Sequence, residues 1–199
     1  MAPRGVHQLR RAVPCWLEDA ENGLSEMFRG LLAELYRDLR YLDERIGAMD
    51  ALVARSVAHD PLARRLLAVR GIGPLTASAL AGALGDGSGF RRGREFAAFV
   101  GLTPRQHSSG GRERLLGISK RGDPYLRTLL VHGARSVLHR AKGRNDALSQ
   151  WLNALARRKH PNVAAVALAN KTARIAWAIA AGEAGYEPTR AAGAHPPSP

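Results

Sequence analysis

Cysteine is nearly absent from this sequence: Cys15 is the only one in 199 residues. A single thiol excludes an intramolecular disulfide framework and fits a reducing compartment. Lysine is scarce too, with Lys120, Lys142, Lys159 and Lys171 the only four among 30 basic residues. The preference for Arg suits bidentate phosphate contact, and it equally suits the Ala- and Arg-rich usage of a GC-rich genome. Acids are outnumbered, 17 against 30, leaving a net charge of +13 and a pI near 11.2, which points to a polyanionic partner. Long apolar runs are missing as well. The most apolar stretch, residues 163–182, is interrupted by Asn170, Lys171 and Arg174 and reads as a buried or half-buried helix, not a membrane span. The first fifteen residues lack the apolar core of a signal peptide. A cytoplasmic chain with no membrane partner is expected. Ligand sets for metals are also lacking. His107, His132, His139 and His160 have neither Cys partners nor carboxylates at zinc spacing, and Asp86, Glu95, Glu113 and Asp123 are too few for a two-metal nuclease. No metal or cofactor is expected in this chain.

What is present is helix-forming. The apolar fraction of 45% is enough for a core, and much of it is Ala and Leu. Charge is divided along the chain. Residues 91–144 hold thirteen Arg and Lys against three acids, a net of +10, whereas residues 18–50 hold four Arg against nine acids, a net of −5. That swing suggests a basic working module carried on an acidic arm.

The arm is legible from about 22 to 57. Phe28, Leu32, Leu35, Leu39, Leu42, Ile46, Met49 and Val53 recur at alternating steps of four and three. This a/d seam predicts a coiled coil or a long helical hairpin, against the alternative of one amphipathic helix on its own domain. Burying such a seam calls for a homodimer or higher assembly. Before it, residues 1–21 are expected to be irregular, because Pro3 and Pro14 disfavour a helix. After it, a compact helical domain is expected over 58–182, with a disordered Pro/Gly/Ala-rich tail at 183–199. The fold class predicted is all-α.

Within the domain, residues 61–84 read as a helix-hairpin-helix. Asp60-Pro61 supplies an N-cap and a first-turn proline, and Gly71-Ile72-Gly73 turns the chain before a restart at Pro74. In such a device the amides of Gly71 and Gly73 approach a phosphate and the second helix directs its positive end there. A purely structural αα-hairpin is the alternative. Further on, Asp123-Pro124 repeats the start signature.

Chemistry concentrates in GLTPRQHSSGGRERLLGISKRGDPYLR, residues 101–127. Ser108 and Ser109 stand before a glycine pair, among Arg105, Arg112, Arg114, Lys120, Arg121 and Arg127. A hydroxyl on glycine-rich backbone, surrounded by cations, suits attack on a phosphodiester, with His107 as a proton acceptor. The same serines also suit mere turn capping.

PRQHSSGGRERLLGISKRGDPYLRTLLVHGAR resembles the C-terminal transposase domain of the IS110-type insertion-sequence family, also labelled IS116 and IS902. VRGIGPLTASALAGALGDGSGFRRGREFAAFVGLTPR and NVAAVALANKTARIAWAI are similar to it too, so the resemblance spans about residues 60–182. It implies a DNA transposase in which a serine of this domain attacks the phosphodiester. The family's PRxxxSG pattern falls on Ser109, with Ser108 as its neighbour. It also implies a separate RuvC-like domain whose acids hold Mg2+, a structured guide RNA from the element, and a dimerising coiled coil. That acidic half has no counterpart here, so a truncated bacterial transposase is expected. A non-catalytic nucleic-acid-binding or coiled-coil interaction protein derived from one is the alternative.

Overall fold

A computed structural model describes residues 5–106 and 115–182. The chain forms two compact units, 1–52 and 53–199. The fold is mostly helical, as expected, with one small two-stranded sheet added to the all-α plan.

The first unit corrects one expectation. Residues expected to be irregular form helix α1, Val6–Glu18, with Pro14 inside it. Proline removes one N–H and crowds the preceding turn. Other contacts compensate here. Arg29 donates from Nη1 to the carbonyls of Trp16 and Leu17 at 2.7 and 3.0 Å, satisfying the end of α1. Arg10 forms an ion pair with Asp43 at 2.9 Å. The arm itself is a single helix, α2, Glu26–His59. Within the first unit its seam is open: Leu35, Leu42, Ile46 and Met49 are each more than half exposed.

The second unit begins with the last turns of α2, whose Val57 is buried in the core. Next come α3 (Pro61–Leu66), α4 (Pro74–Leu84), α5 (Gly93–Phe99), strands β1 (Pro104–Gln106) and β2 (Leu115–Ile118), then α6 (Pro124–Arg140), α7 (Ala147–Arg158) and α8 (Pro161–Ala181). Four of these helices open on proline, at 61, 74, 124 and 161, where the missing N–H has no intrahelical partner to lose. Capping side chains define the starts of α3, α6 and α7. Asp60 accepts from the amides of Leu62 and Ala63, Asp123 from Leu126, and Asp146 from Ser149.

Helix α8 is the axis of this unit, packed by α3, α4, α5, α6 and α7. It is long and apolar enough to cross a membrane by length and composition. Its buried face is, however, a run of small side chains, Ala164, Ala165, Ala169, Ala173 and Ala176 with Leu168, Thr172 and Ile179, taken up by neighbouring helices. Small residues let backbones approach closely. A Cβ built on Gly93 of α5 would sit 3.0 Å from both Cα and O of Arg174. Arg65 of α3 donates to the carbonyls of Ile179 and Gly182, closing the C-terminal end of α8. Asn170 donates to the carbonyl of Leu102 at 3.0 Å, and Trp177 to those of Gly87 and Phe90 at 3.1 and 3.0 Å. The segment from 87 to 102 is thereby stitched along α8. The tail expected to be disordered, 183–199, lies outside the described residues.

Candidate nucleic-acid site

The motif that carries the candidate chemistry lies on a β-hairpin. Strands β1 and β2 pair antiparallel, Pro104 opposite Ile118 and Gln106 opposite Leu115, with a register irregularity between. Neither strand belongs to the all-α plan expected from the sequence. The eight residues connecting the strands, 107–114, include His107, Ser108, Ser109, Arg112 and Arg114 and lie outside the described residues. What the structure fixes is the stem from which they depart.

The stem is clamped at its base by backbone interlock. Gly101 has φ +77, and a Cβ there would fall 2.6 Å from the carbonyl oxygen of Arg121. Gly122 has φ +131, and a Cβ there would fall 2.0 Å from the carbonyl oxygen of Phe99. Both positions therefore need glycine on two counts, sterics and a left-handed backbone. Hydrogen bonds lock the crossing. Ser119 N–H donates to Thr103 O at 2.8 Å, Lys120 N–H to Gly101 O at 3.1 Å, and Asp123 N–H to Phe99 O at 3.1 Å. Arg127 reaches back from α6 and donates from Nη1 to Val100 O at 3.0 Å. The clamp glycines escaped the sequence reading, although GLTP and KRGDP both carry a turn signature.

The predicted cations fall into two groups. Arg105, Lys120 and Arg121 are exposed beside the stem, on β1 and on the segment that follows β2. Lys120 has φ +55 and is the one described non-glycine residue with positive φ. Arg127 is half-buried and engaged with Val100.

The turn between α3 and α4 is built as the glycines suggested, with a different division of labour between them. Gly71, φ +90, packs against α6: a Cβ on Gly133 would lie 2.0 Å from Gly71 O. Ile72 of the turn is buried in the core. Gly73 is exposed and N-caps α4 with no side-chain hydrogen bond, so that helix start faces solvent. Gly71 thus fits the turn onto α6, and Gly73 alone presents a free backbone edge.

Polar groups elsewhere in this unit serve the fold or lie on its surface. Asp146 receives both Nη1 and Nη2 of Arg70 and caps α7. Arg70 first, then the Ser149 hydroxyl, hold its carboxyl well below the usual carboxylate range. His160 caps α8 by accepting from Asn162 N–H at 3.2 Å. His132 and His139 are exposed on α6. Among the described residues no group of three or more His, Cys, Asp or Glu is placed to hold a metal ion.

Comparison with known proteins matches this sequence to one family. Residues 63–150, from α3 to the start of α7, match the model of the transposase IS116/IS110/IS902 family. The chain is 53% identical over 158 residues to the "Probable family 20 transposase" of Pseudomonas aeruginosa, covering 79% of this chain and 47% of that protein. It is 44% identical over 179 residues to the transposase for insertion sequence element IS1328 of Yersinia enterocolitica, covering 89% and 52%. To the transposase for IS1111A of Coxiella burnetii it is 43% identical over 176 residues, covering 88% and 48%. The chain therefore spans about half the length of the curated relatives it matches. The glycine-clamped hairpin and the α3–α4 turn both fall inside the matched region, and the chain belongs to the IS116/IS110/IS902 transposase family.

Proposed function

We propose that this chain is the serine-bearing part of an insertion-sequence DNA recombinase, gripping nucleic acid by its phosphates and presenting Ser109 to a phosphodiester. The observation that carries the reading is the clamped hairpin. Its connecting segment contains both serines, and its stem bears Arg105, Lys120 and Arg121 on the surface. Lys120 supports it further. A non-glycine residue in the left-handed region costs on the order of 1–2 kcal/mol, a strain that functional sites tolerate. A lysine at that position fits a phosphate contact better than a turn residue.

In the proposed step Ser109 Oγ bonds to phosphorus, one bridging P–O bond breaks, and the serine proton ends on the departing nucleoside oxygen, with His107 as its carrier. Arg105, Arg112, Arg114, Lys120 and Arg121 neutralise the charge that builds on the phosphate oxygens. The exposed Gly73 amide and the uncapped start of α4 hold a neighbouring phosphate, while Gly71 shapes the turn and Arg127 fixes the stem. The described residues offer no ligand set for a metal, and no step is assigned to one. The partners proposed are DNA, a structured RNA and a second copy of the chain docked along the α2 seam, in the bacterial cytoplasm. The open seam also favours a second reading, a non-catalytic interaction protein that retains only the binding surfaces.

Salt dependence tests the grip: with about six phosphates neutralised, log affinity falls with log salt at a slope near −5. The chemistry is tested by supplying in trans the segment of a relative that this chain does not span. A covalent DNA–protein adduct should then form, survive Ser108→Ala and vanish with Ser109→Ala. An adduct with the opposite dependence moves the nucleophile to Ser108; none under any condition favours the second reading.

A further inference from the structure

The close approach of α5 to α8 collects cations that the hairpin does not use. Gly93 has no room for a side chain against Arg174, so Arg92 and Arg94, its chain neighbours, bracket the point where Arg174 emerges. Arg91 stands one residue earlier, and Lys171 lies one turn away on α8. The single carboxylate among them is Glu95, which accepts from the backbone N–H of Arg91 at 3.0 Å and pairs with Arg92 Nε at 3.5 Å. Among the described residues, neither the Arg94 nor the Arg174 side chain has a hydrogen bond or ion pair, and both residues are exposed. Lys171 is held over the Trp151 ring at 5.3 Å. Burial first, then the positive charge of Arg174, hold its ammonium below the usual lysine value.

Crowded like charges oppose folding unless something outside the chain neutralises them. A solvated basic face normally intersperses acids; here the backbones of two helices are pressed together with arginines on both sides of the contact. The opposite end of the same helix pair leads to the hairpin. Asn170 ties α8 to Leu102, the last residue before the stem begins at Thr103. Helix α5, which connects the two regions, has seven residues and is roughly 10 Å long, comparable to two or three phosphate spacings of one strand.

We propose that Arg92, Arg94 and Arg174 form a second phosphodiester-binding patch, which holds the nucleic-acid backbone on the flank of the strand engaged by the hairpin. The ligand chemistry is the sugar–phosphate backbone, supplied by DNA or by a structured RNA. The proposal rests on the nucleic-acid reading above and extends it to a surface outside the serine motif.

The test is a salt titration of binding by the full chain to a duplex DNA and, separately, to a structured RNA. The variant is Arg94→Gln with Arg174→Gln, which removes charge and keeps most of each aliphatic stem. The expected result is a slope shallower by about 2 on at least one of the two nucleic acids, corresponding to roughly 30-fold weaker binding at 0.15 M salt. Melting without nucleic acid should be unchanged or raised, because repulsion has been relieved. Arg94→Lys with Arg174→Lys should restore the slope, since backbone contact depends on charge more than on fork geometry. If the double Gln variant does not fold, Arg94→Gln alone should lower the slope by about 1. An unchanged slope on both nucleic acids overturns the patch. A parallel set, Arg105→Gln, Lys120→Gln and Arg121→Gln, separates the two readings: a slope that falls only there retains the hairpin and rejects the patch. A wild-type slope near zero rejects both.

Discussion

Replacing Gly122 by alanine tests whether the clamp at the base of the hairpin is as tight as its geometry implies. The added Cβ would lie 2.0 Å from Phe99 O and 2.8 Å from Phe99 C, both backbone atoms that cannot rotate away. Ordinary contact requires a separation of more than 3 Å, so the two segments must part by about an ångström. That movement breaks or stretches the Asp123 N–H to Phe99 O bond, now 3.1 Å, at a net cost of about 1 kcal/mol. Alanine at φ +131 adds backbone strain of about 1–3 kcal/mol. The sum is roughly 2–4 kcal/mol, a large share of the 5–15 kcal/mol that typically stabilises a domain. Thermal unfolding should show a Tm lower by on the order of 10 °C. Hydrogen exchange should show lost protection at Ser119, Lys120 and Asp123, whose amides bridge the crossing. Gly117→Ala is the internal control. It lies on β2 with nothing within 4 Å of its Cβ position, so its stability should change by less than about 0.5 kcal/mol. Equal melting of the Gly122→Ala and wild-type proteins, with those amides still protected, would refute the clamp.

Other outcomes follow from the same packing. Gly82→Ala on α4 and Gly47→Ala on α2, both with open space at the Cβ position, should each raise stability by about 0.5–1 kcal/mol in denaturant titrations. Asp146→Asn should cost about 1 kcal/mol at neutral pH, a figure kept small because the pair is partly exposed. The sign is set by a folded-state pKa below the unfolded value: the contribution is present above the unfolded pKa and disappears as pH falls through the folded one, so the gap to wild type should close on acidification below about pH 4. If α2 pairs with a second copy, Leu42→Ser with Ile46→Ser should convert an oligomer to a monomer by light scattering. A wild-type chain already monomeric at tens of micromolar removes that interface.

The helices were legible because their boundaries are written in local chemistry. Asp60-Pro61 and Asp123-Pro124 each fix a cap and a first turn within two residues, and α3 and α6 begin there. Helix α1 was not legible. Pro14 argues against it locally, whereas the contacts that satisfy its end come from Arg29, more than ten residues away in the chain. The partner strand at 104–106 was missed for a similar reason: three exposed residues beginning with proline carry no alternation, and only their pairing with 115–118 makes them a strand. At the candidate site the sequence shows the residue types, and the contacts each makes within the fold come only from the structure. Gly71 and Arg127 look like phosphate contacts in a list of glycines and arginines, yet one is seated against Gly133 and the other against Val100.

That reassignment bears on how the site is held. A serine on a glycine-rich connection gains nothing from nearby cations unless the connection leaves the domain at a fixed point, because catalysis by positioning is lost with small displacements. Here the fixed point is made from backbone: two glycines, three main-chain hydrogen bonds, and one arginine turned inward. Arg105, Lys120 and Arg121 beside the stem remain exposed. The same division recurs where α5 meets α8, with Gly93 providing the contact and Arg92, Arg94 and Arg174 left outside it. In both places glycine brings backbones together and arginine or lysine is what faces outward. Removing a cation should then change affinity with little effect on melting, and filling a glycine should change melting first.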